Sequence, residues 1–203
     1  MDATLINVVA ETFIIMLKAI SGVAMTLIGL STSLMFPQIA IAEEIICQEN
    51  LGAITVENVK VPQGKTCTLS KTTVKGNIVV ERRATLKAIG VKVNGNIQAE
   101  GATLVEVNSS ATVGGSIQIE QGSAARVVST RITGDVQFES NSGQIVANQN
   151  QIGGNLQAIQ NTGGVTIRQN RINGNLQCKE NAPKPIGGSN IVQSSKEDQC
   201  AKL

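Results

Sequence analysis

Four glutamates recur at one position of a repeated pattern and could together hold a cation. Carboxylate oxygens are the ligands that Ca²⁺ prefers, whereas neighbouring carboxylates that share no cation repel each other. The column does not continue as acids, because the next two equivalent positions are Ile159 and Lys179. We therefore favour a solvated acidic face over a calcium site. The four residues are Glu81, Glu100, Glu120 and Glu139, at intervals of 19, 20 and 19 residues.

The amino-acid composition gives little support to a catalytic function. The chain has no His, Trp or Tyr and three Phe, which removes His-based catalysis and most stacking platforms for sugars or bases. Its 17 basic and 15 acidic residues nearly cancel, so no broad attraction to nucleic acid is expected. We expect no catalytic residue, no cofactor and no nucleic-acid partner.

Two further polar columns follow the same period. Lys87, Glu106 and Arg126 alternate in sign, which predicts weak ion pairs between neighbouring repeats. A column of five glutamines is expected to face outward. It forms either a soluble strand face or a regular array of amides for a polysaccharide or a partner surface. The glutamines are Gln98, Gln118, Gln137, Gln157 and Gln177.

All of these columns derive from a unit of about 20 residues marked by a glycine and a following polar residue. A period of this length indicates a solenoid. We expect each glycine to adopt a positive φ in a tight corner, and the polar residues to stack as a hydrogen-bonded ladder. The corners are Gly76-Asn77, Gly95-Asn96, Gly115-Ser116, Gly134-Asp135, Gly154-Asn155 and Gly174-Asn175.

The aliphatic residues within each unit define the kind of solenoid. They alternate with polar residues in three short bursts, forming five columns that begin at Val74, Ile78, Val80, Leu86 and Ala88. Period-two alternation of this kind is typical of short β-strands, and stacking equivalent strands pairs them in parallel. The sequence therefore predicts an all-β protein, a right-handed, three-sided parallel β-helix with coils of about 20 residues.

Four cysteines lie near the two ends of the repeat region. Cys47 and Cys67 are 20 residues apart, and Cys178 and Cys200 are 22 apart. Equivalent positions on adjacent coils lie about 4.8 Å apart, within reach of a disulfide. Of the three possible connectivities we expect Cys47–Cys67 and Cys178–Cys200. The absence of a CxxC motif and of histidine disfavours a redox or zinc site.

The first 42 residues differ from the rest and are predicted to form a hydrophobic signal helix. An apolar run from Ala19 to Phe36 precedes an Ala40-x-Ala42 pattern, which favours a signal peptide cleaved after Ala42. An uncleaved membrane anchor is the alternative. Residues 1–15 carry two acids and no base, which favours Met16 as the true translation start. Residues 43–203 are expected to form a single domain, with membrane contact only through the signal segment.

The C-terminal third resembles a group of small secreted bacterial proteins of unassigned function. "NLQCKENAPKPIGGSN", residues 175–190, and the later Lys196 and "DQC" follow that group's ending. Ser194-Ser195 depart from its usual Gly-Asn, so the last corner is expected to be less regular. The resemblance implies secretion, a β-helix and disulfide caps, but no activity. A looser likeness to bactofilins, cytoskeletal β-helices that polymerise end to end, is disfavoured by the signal segment and the cysteines.

These patterns together predict a secreted, extracellular or periplasmic β-helix with a structural or surface-interaction role. Polysaccharide lyases and hydrolases on β-helices need clustered carboxylates in a groove formed by long loops, and the nearly uniform coils leave no room for such loops. We therefore expect no enzyme activity. Two alternatives stay open: a carbohydrate-binding or carbohydrate-active module that uses one face, and a unit that self-assembles end to end.

Overall fold

The computed structural model describes residues 43–203 as a continuous parallel β-solenoid, which confirms the expected fold class. The predicted signal helix and the Met16 start lie outside the described residues. Twenty-five short strands, numbered in chain order, form three sheets of nine, eight and eight strands. Each coil contributes one strand to each sheet, so strands three apart in sequence are neighbours in space.

Sheet A contains the strand that follows each glycine corner. Its inward residues are mostly Ile, Val, Leu and Ala, with Phe138 and Cys178 in the same column, and its outward residues include the predicted Gln and Glu columns. The strands are β1 (Glu44–Ile46), β4 (Asn58–Val61), β7 (Ile78–Val80), β10 (Ile97–Glu100), β13 (Ile117–Glu120), β16 (Val136–Glu139), β19 (Leu156–Ile159), β22 (Leu176–Lys179) and β25 (Lys196–Asp198).

Sheet B forms the second side and carries the Lys87, Glu106 and Arg126 column on its outer surface. Its strands are β2 (Asn50–Leu51), β5 (Thr66–Ser70), β8 (Thr85–Ile89), β11 (Leu104–Asn108), β14 (Ala124–Val128), β17 (Ile145–Asn148), β20 (Val165–Arg168) and β23 (Ile186–Gly188).

Sheet C forms the third side from strands of two residues, one outward and one inward. The inward residues are Val in the first four strands and Ile in the next three. Its strands are β3 (Thr55–Val56), β6 (Thr73–Val74), β9 (Lys92–Val93), β12 (Thr112–Val113), β15 (Arg131–Ile132), β18 (Gln151–Ile152), β21 (Arg171–Ile172) and β24 (Ile191–Val192).

The core consists of the aliphatic columns that the sequence predicted. Members such as Ile78, Leu86 and Ile145 are fully buried. Phe138, the one aromatic residue between 43 and 203, is also buried and is paired with Ile119 on one side and Ala158 on the other. The small Ala158 leaves space beside the ring, so the narrow interior accommodates Phe138 without a change in register.

The corner glycines have a different role from the one expected. None of the six has a φ in the left-handed region. Instead, a Cβ added to Gly95 would lie 2.4 Å from Oδ1 of Asn77, and one added to Gly154 would lie 2.2 Å from Oδ1 of Asp135. Glycine is required because the polar side chain of the preceding coil occupies the space that a Cβ would need. Left-handed residues lie at the other two corners, for example Gln160 with φ 55°.

The polar residues of the glycine corner form the predicted ladder, but mainly through backbone donors. The backbone N–H of Asn96 donates to Oδ1 of Asn77 over 2.8 Å, and that of Asp135 donates to Oγ of Ser116 over 3.0 Å. The N–H of Ser195 donates to Oδ1 of Asn175 over 3.2 Å. The ladder therefore continues through the Ser194-Ser195 departure, where a less regular corner was expected.

Two further ladders of asparagine lie inside the solenoid, at the corners between sheets A and B and between sheets B and C. All six asparagines are buried, and the amide of each bonds to the preceding coil; all but Asn190 also bond to the following coil. Among the described residues no buried side-chain nitrogen or oxygen lacks a partner. The A–B ladder is Asn141, Asn161 and Asn181, and the B–C ladder is Asn150, Asn170 and Asn190.

Disulfides close the two end coils. Cys47 is bonded to Cys67 with Cα atoms 5.5 Å apart, and Cys178 to Cys200 with Cα atoms 5.2 Å apart, which is the pairing expected from the spacing. At the C-terminal end, the side chain of Gln199 accepts from the Asn181 amide over 3.1 Å and donates to the Asn181 carbonyl over 3.0 Å. Gln199 therefore completes the last hydrogen bonds of the A–B ladder.

Candidate functional site

The outer surface of sheet A carries an unbroken ladder of amides. Nε2 of each glutamine donates to Oε1 of the glutamine on the next coil, over 3.0 to 3.2 Å. The ladder ends where the register places Val79 before it and Glu197 after it. Its members, which we call the glutamine ladder, are Gln98, Gln118, Gln137, Gln157 and Gln177.

Each amide in the glutamine ladder keeps unused hydrogen-bonding capacity. A glutamine side chain has two N–H donors and an oxygen with two lone pairs, and the ladder uses one of each. Since the side chains hold one another in place, the remaining donors and acceptors recur at about 4.8 Å along a flat strand face. Such an array can bind a surface that itself presents hydroxyl or amide groups at regular intervals.

The glutamate column lies beside the glutamine ladder on the same face. The register pairs Glu100 with Glu120 and Glu120 with Glu139, so these three are stacked as the sequence predicted. Ile159 and Lys179 end the column. Within residues 43–203, no group of three or more His, Cys, Asp or Glu residues is arranged so that it could hold a metal ion.

Glu81, the first predicted member of the column, is bound by its own partners. Its Oε1 lies 2.7 Å from Nζ of Lys60, and its Oε2 accepts from the backbone N–H of Gln63 over 2.9 Å. The hydrogen bond from Lys60, followed by that from Gln63, holds the pKa of the Glu81 carboxyl below its usual value. The same contact raises the pKa of Lys60. Glu81 is therefore ionised at neutral pH and unsuited to act as a general acid.

Substituting Lys60 with methionine is expected to raise the pKa of Glu81 toward that of an ordinary carboxyl. In the native protein the folded pKa is below the unfolded one, so the stabilising contribution of Glu81 is present at neutral pH and is lost as the pH falls through the folded pKa. NMR titration of the Glu81 side-chain carboxyl measures this value. Lys87→Met, on sheet B, is the control and should leave it unchanged. An ordinary Glu81 pKa in the unsubstituted protein would contradict the assignment.

An open groove of about 540 Å³ runs over the N-terminal half of sheet A. It is lined by three carboxylates, two amides of the glutamine ladder and one guanidinium. Because it is open and has no aromatic wall, it offers hydrogen bonds and negative charge to a ligand but excludes little water. The residues with these groups are Glu81, Glu100, Glu120, Gln98, Gln118 and Arg82.

The charged column on sheet B is only partly linked. The register aligns Lys87, Glu106 and Arg126 as predicted, and Nε of Arg126 lies 3.7 Å from Oε1 of Glu106. The same Glu106 oxygen accepts from Nδ2 of Asn108 over 2.9 Å, and Lys87 makes no ion pair with Glu106. This exposed column contributes little to stability and offers no arrangement for chemistry.

Sequence reasoning missed the outer face of sheet C. Its outward column contains Lys92, Arg131 and Arg171, but Thr112 and Gln151 lie between them in register. A search for unbroken columns of one residue type therefore passes over it. The usable signal was the absence of Asp and Glu from this part of every repeat after the first, in which Glu57 occupies the position equivalent to Lys75.

No helix in the described part of the chain is long and apolar enough to cross a membrane. Comparisons with known proteins give no functional lead, since no protein-family model, curated protein or solved structure matches the chain. The chain is classified by its architecture alone, as a parallel β-solenoid with three sheets and coils of about 20 residues.

Proposed function

We propose that the protein is a non-catalytic, extracytoplasmic scaffold that contacts a neutral surface polysaccharide through the glutamine ladder of sheet A. The observation that carries this proposal is the continuity of the ladder. Four amide–amide hydrogen bonds join five coils and fix every side chain in the same orientation. A pre-ordered array loses little side-chain entropy on binding, which favours a regular, extended partner.

The charge of the face favours a neutral partner. Glu100, Glu120 and Glu139 lie beside the ladder and would repel an acidic chain. Neutral sugars present hydroxyl groups, which can both donate to the free amide oxygens and accept from the free N–H groups. The absence of exposed aromatic residues between 43 and 203 leaves these polar contacts as the main source of affinity.

Two further observations support a role outside the cytoplasm and without catalysis. Disulfides at both ends are consistent with an oxidising compartment, as are the predicted signal segment and the resemblance of the C-terminal third to secreted proteins. Hydrolysis of a glycosidic bond needs one carboxyl that keeps its proton as a general acid. The pKa of the Glu81 carboxyl is lowered, which favours loss of that proton. End-to-end assembly has less support, because Gln199 and the Cys178–Cys200 disulfide close the C-terminal coil.

Removing two central amides, with Gln118→Ala and Gln137→Ala together, is expected to weaken binding to a neutral polysaccharide by about tenfold or more. The substitutions delete the outward hydrogen-bonding groups of two coils and interrupt the ladder on either side. Co-sedimentation with microcrystalline cellulose, chitin and insoluble starch measures the binding.

The matched control is Val146→Ala with Thr166→Ala, two outward positions on adjacent strands of sheet B. It should change the bound fraction by less than about twofold. The proposal fails if the unsubstituted protein binds none of the three polysaccharides, or if both double variants lose binding equally. Release of soluble sugar by the unsubstituted protein would refute its non-catalytic part.

A further inference from the structure

Charge is segregated between the faces of the solenoid although the whole chain is nearly neutral. The arc that runs from the B–C corner across sheet C to the glycine of the glycine corner contains five basic residues and no acidic residue in seven of the eight coils; the first coil has Glu57, and Asp135 directly follows Gly134. The five are Lys71, Lys75, Lys92, Arg131 and Arg171, and the segments are 71–76, 90–95, 109–115, 129–134, 149–154, 169–174 and 189–194. Apart from Asp135 at the glycine corner, the acids of the central coils lie on sheets A and B.

Four of these basic residues are free to meet an external anion. Lys75 is paired with Glu57 over 2.7 Å, but none of the ion pairs between described residues involves Lys71, Lys92, Arg131 or Arg171. All four side chains are exposed, and the last three lie on strands of sheet C. Because no carboxylate among the described residues pairs with these side chains, their potentials add along the face.

The two arginines flank a recess of about 390 Å³ on the surface of sheet C. The register places Gln151 between Arg131 and Arg171, which are therefore two coils, or about 9.6 Å, apart. The polar residues Thr133 and Asn173 also line the recess, with Gly153 between them. A Cβ on Gly153 would lie 2.2 Å from the Thr133 carbonyl oxygen, so close coil stacking keeps this position without a side chain.

The recess has the donors that a carboxylate requires. A guanidinium can bind a carboxylate through two parallel hydrogen bonds, and the Gln151 amide supplies a further N–H donor between the two arginines. We propose that this face of sheet C binds an acidic linear polysaccharide, with uronate carboxylates seated between Arg131 and Arg171 and the chain continuing along the axis toward Lys92.

The spacing and composition of the face favour a sparsely charged polysaccharide over a nucleic acid. A nucleic-acid strand carries one charge per about 3.4 Å. On a face whose basic side chains lie two coils apart, most of its phosphates would find no cation. Single-stranded nucleic acid also binds through aromatic stacking, and Phe138, the one aromatic residue of the described chain, is buried. The disulfides are consistent with a compartment in which polysaccharides are available partners.

Replacing both arginines, with Arg131→Gln and Arg171→Gln together, is expected to weaken binding of hyaluronate, which carries a carboxylate on every second sugar only, by about tenfold or more and to reduce the salt dependence of that binding. The change removes two charge-assisted contacts without touching the core, since both side chains are exposed. Isothermal titration calorimetry of the full chain at two salt concentrations measures both quantities. Arg131→Lys with Arg171→Lys, which keeps the charge but loses the bidentate geometry, should give an intermediate loss.

The matched control is Arg126→Gln with Arg168→Gln, which removes the same charge from exposed positions of sheet B. It should change the affinity by less than about twofold. Equal losses in both double variants, or no binding by the unsubstituted protein, would overturn the proposal. Tighter binding of single-stranded DNA or of anionic phospholipid vesicles than of hyaluronate would overturn the ligand assignment. Binding to neutral polysaccharides should be unchanged, so this result is separable from the role proposed for sheet A.

Discussion

Replacing Asn161 with alanine is expected to lower the free energy of unfolding by about 3 to 5 kcal/mol, since each buried polar group left unpaired costs about 1 to 3 kcal/mol. Asn161 lies at the centre of the A–B ladder and is fully buried. Its Nδ2 donates to the Phe138 carbonyl over 2.9 Å, and its Oδ1 accepts from both the backbone N–H and Nδ2 of Asn141 over 3.0 Å. Alanine removes the partner of the Asn141 backbone N–H, one of the two acceptors of Asn141 Nδ2 and the side-chain donor to the Phe138 carbonyl, in a region that water does not reach.

Chemical denaturation of the two proteins measures the loss. The control is Asn173→Ala, the same substitution in the same coil. Asn173 is exposed, and its side chain makes no hydrogen bond within residues 43–203. This variant should change the free energy of unfolding by no more than about 0.5 kcal/mol. Hydrogen exchange should accelerate in the coils that contain Asn141 and Asn181. Equal stability of the two variants would mean that the amide ladder contributes little to holding the coils together.

Removing the C-terminal disulfide, with Cys178→Ala and Cys200→Ala together, is expected to cost about 3 kcal/mol and to fray one end of the molecule. Closing a loop of roughly 20 residues reduces the entropy of the unfolded chain by about that amount. The terminal coil of a solenoid has a neighbour on one side only, so the loss is concentrated there. Hydrogen exchange measured by mass spectrometry should show faster exchange from Ile186 onward.

The N-terminal disulfide provides the matched comparison. Cys47→Ala with Cys67→Ala should accelerate exchange in β1 to β5 and leave the C-terminal coil unchanged. If either double variant instead exchanged faster along its whole length, the solenoid would unfold as one unit and the disulfides would not act as end-specific caps.

The fold could be predicted because the pattern of aliphatic and polar residues that determines it recurs in every repeat of the sequence. The columns that begin at Ile78 and Leu86 alternate with polar residues at a period of two, and the 20-residue interval fixes which strands are paired. The cysteine pairing was predicted from similar separations of 20 and 22 residues, although the register partner of Cys178 is Asp198 and not Cys200. A one-residue shift would have turned each column outward, so burial strongly specifies the register.

The reason for the corner glycines could not be read from the sequence. Both a positive φ and a close approach of another chain segment require glycine. The distance from Gly154 to Oδ1 of Asp135, which excludes a Cβ, depends on how closely adjacent coils stack. A local turn signal carries no information about that distance, so the corners were located correctly but the predicted positive φ of their glycines was wrong.

The buried asparagines were missed because asparagine is usually found at the surface. Asn150, Asn170 and Asn190 recur at intervals of 20 residues, which is the signal that could have revealed them. Their burial becomes favourable only through partners on neighbouring coils, such as the Val127 carbonyl that accepts from Asn150 over 2.8 Å. The basic face was missed for a related reason, since total charge says nothing about where the charges lie after the chain has coiled.

Because all coils stack in the same register, the number of repeat units determines the length of the solenoid. Gain or loss of one 20-residue unit would change the length of the solenoid by about 4.8 Å and leave its cross-section unchanged. Each unit also adds one rung to every outward column, so the number of simultaneous contacts with a polymer changes in whole steps. Duplication of a single repeat in the gene could therefore adjust avidity for an extended ligand without any change to the chemistry of an individual coil.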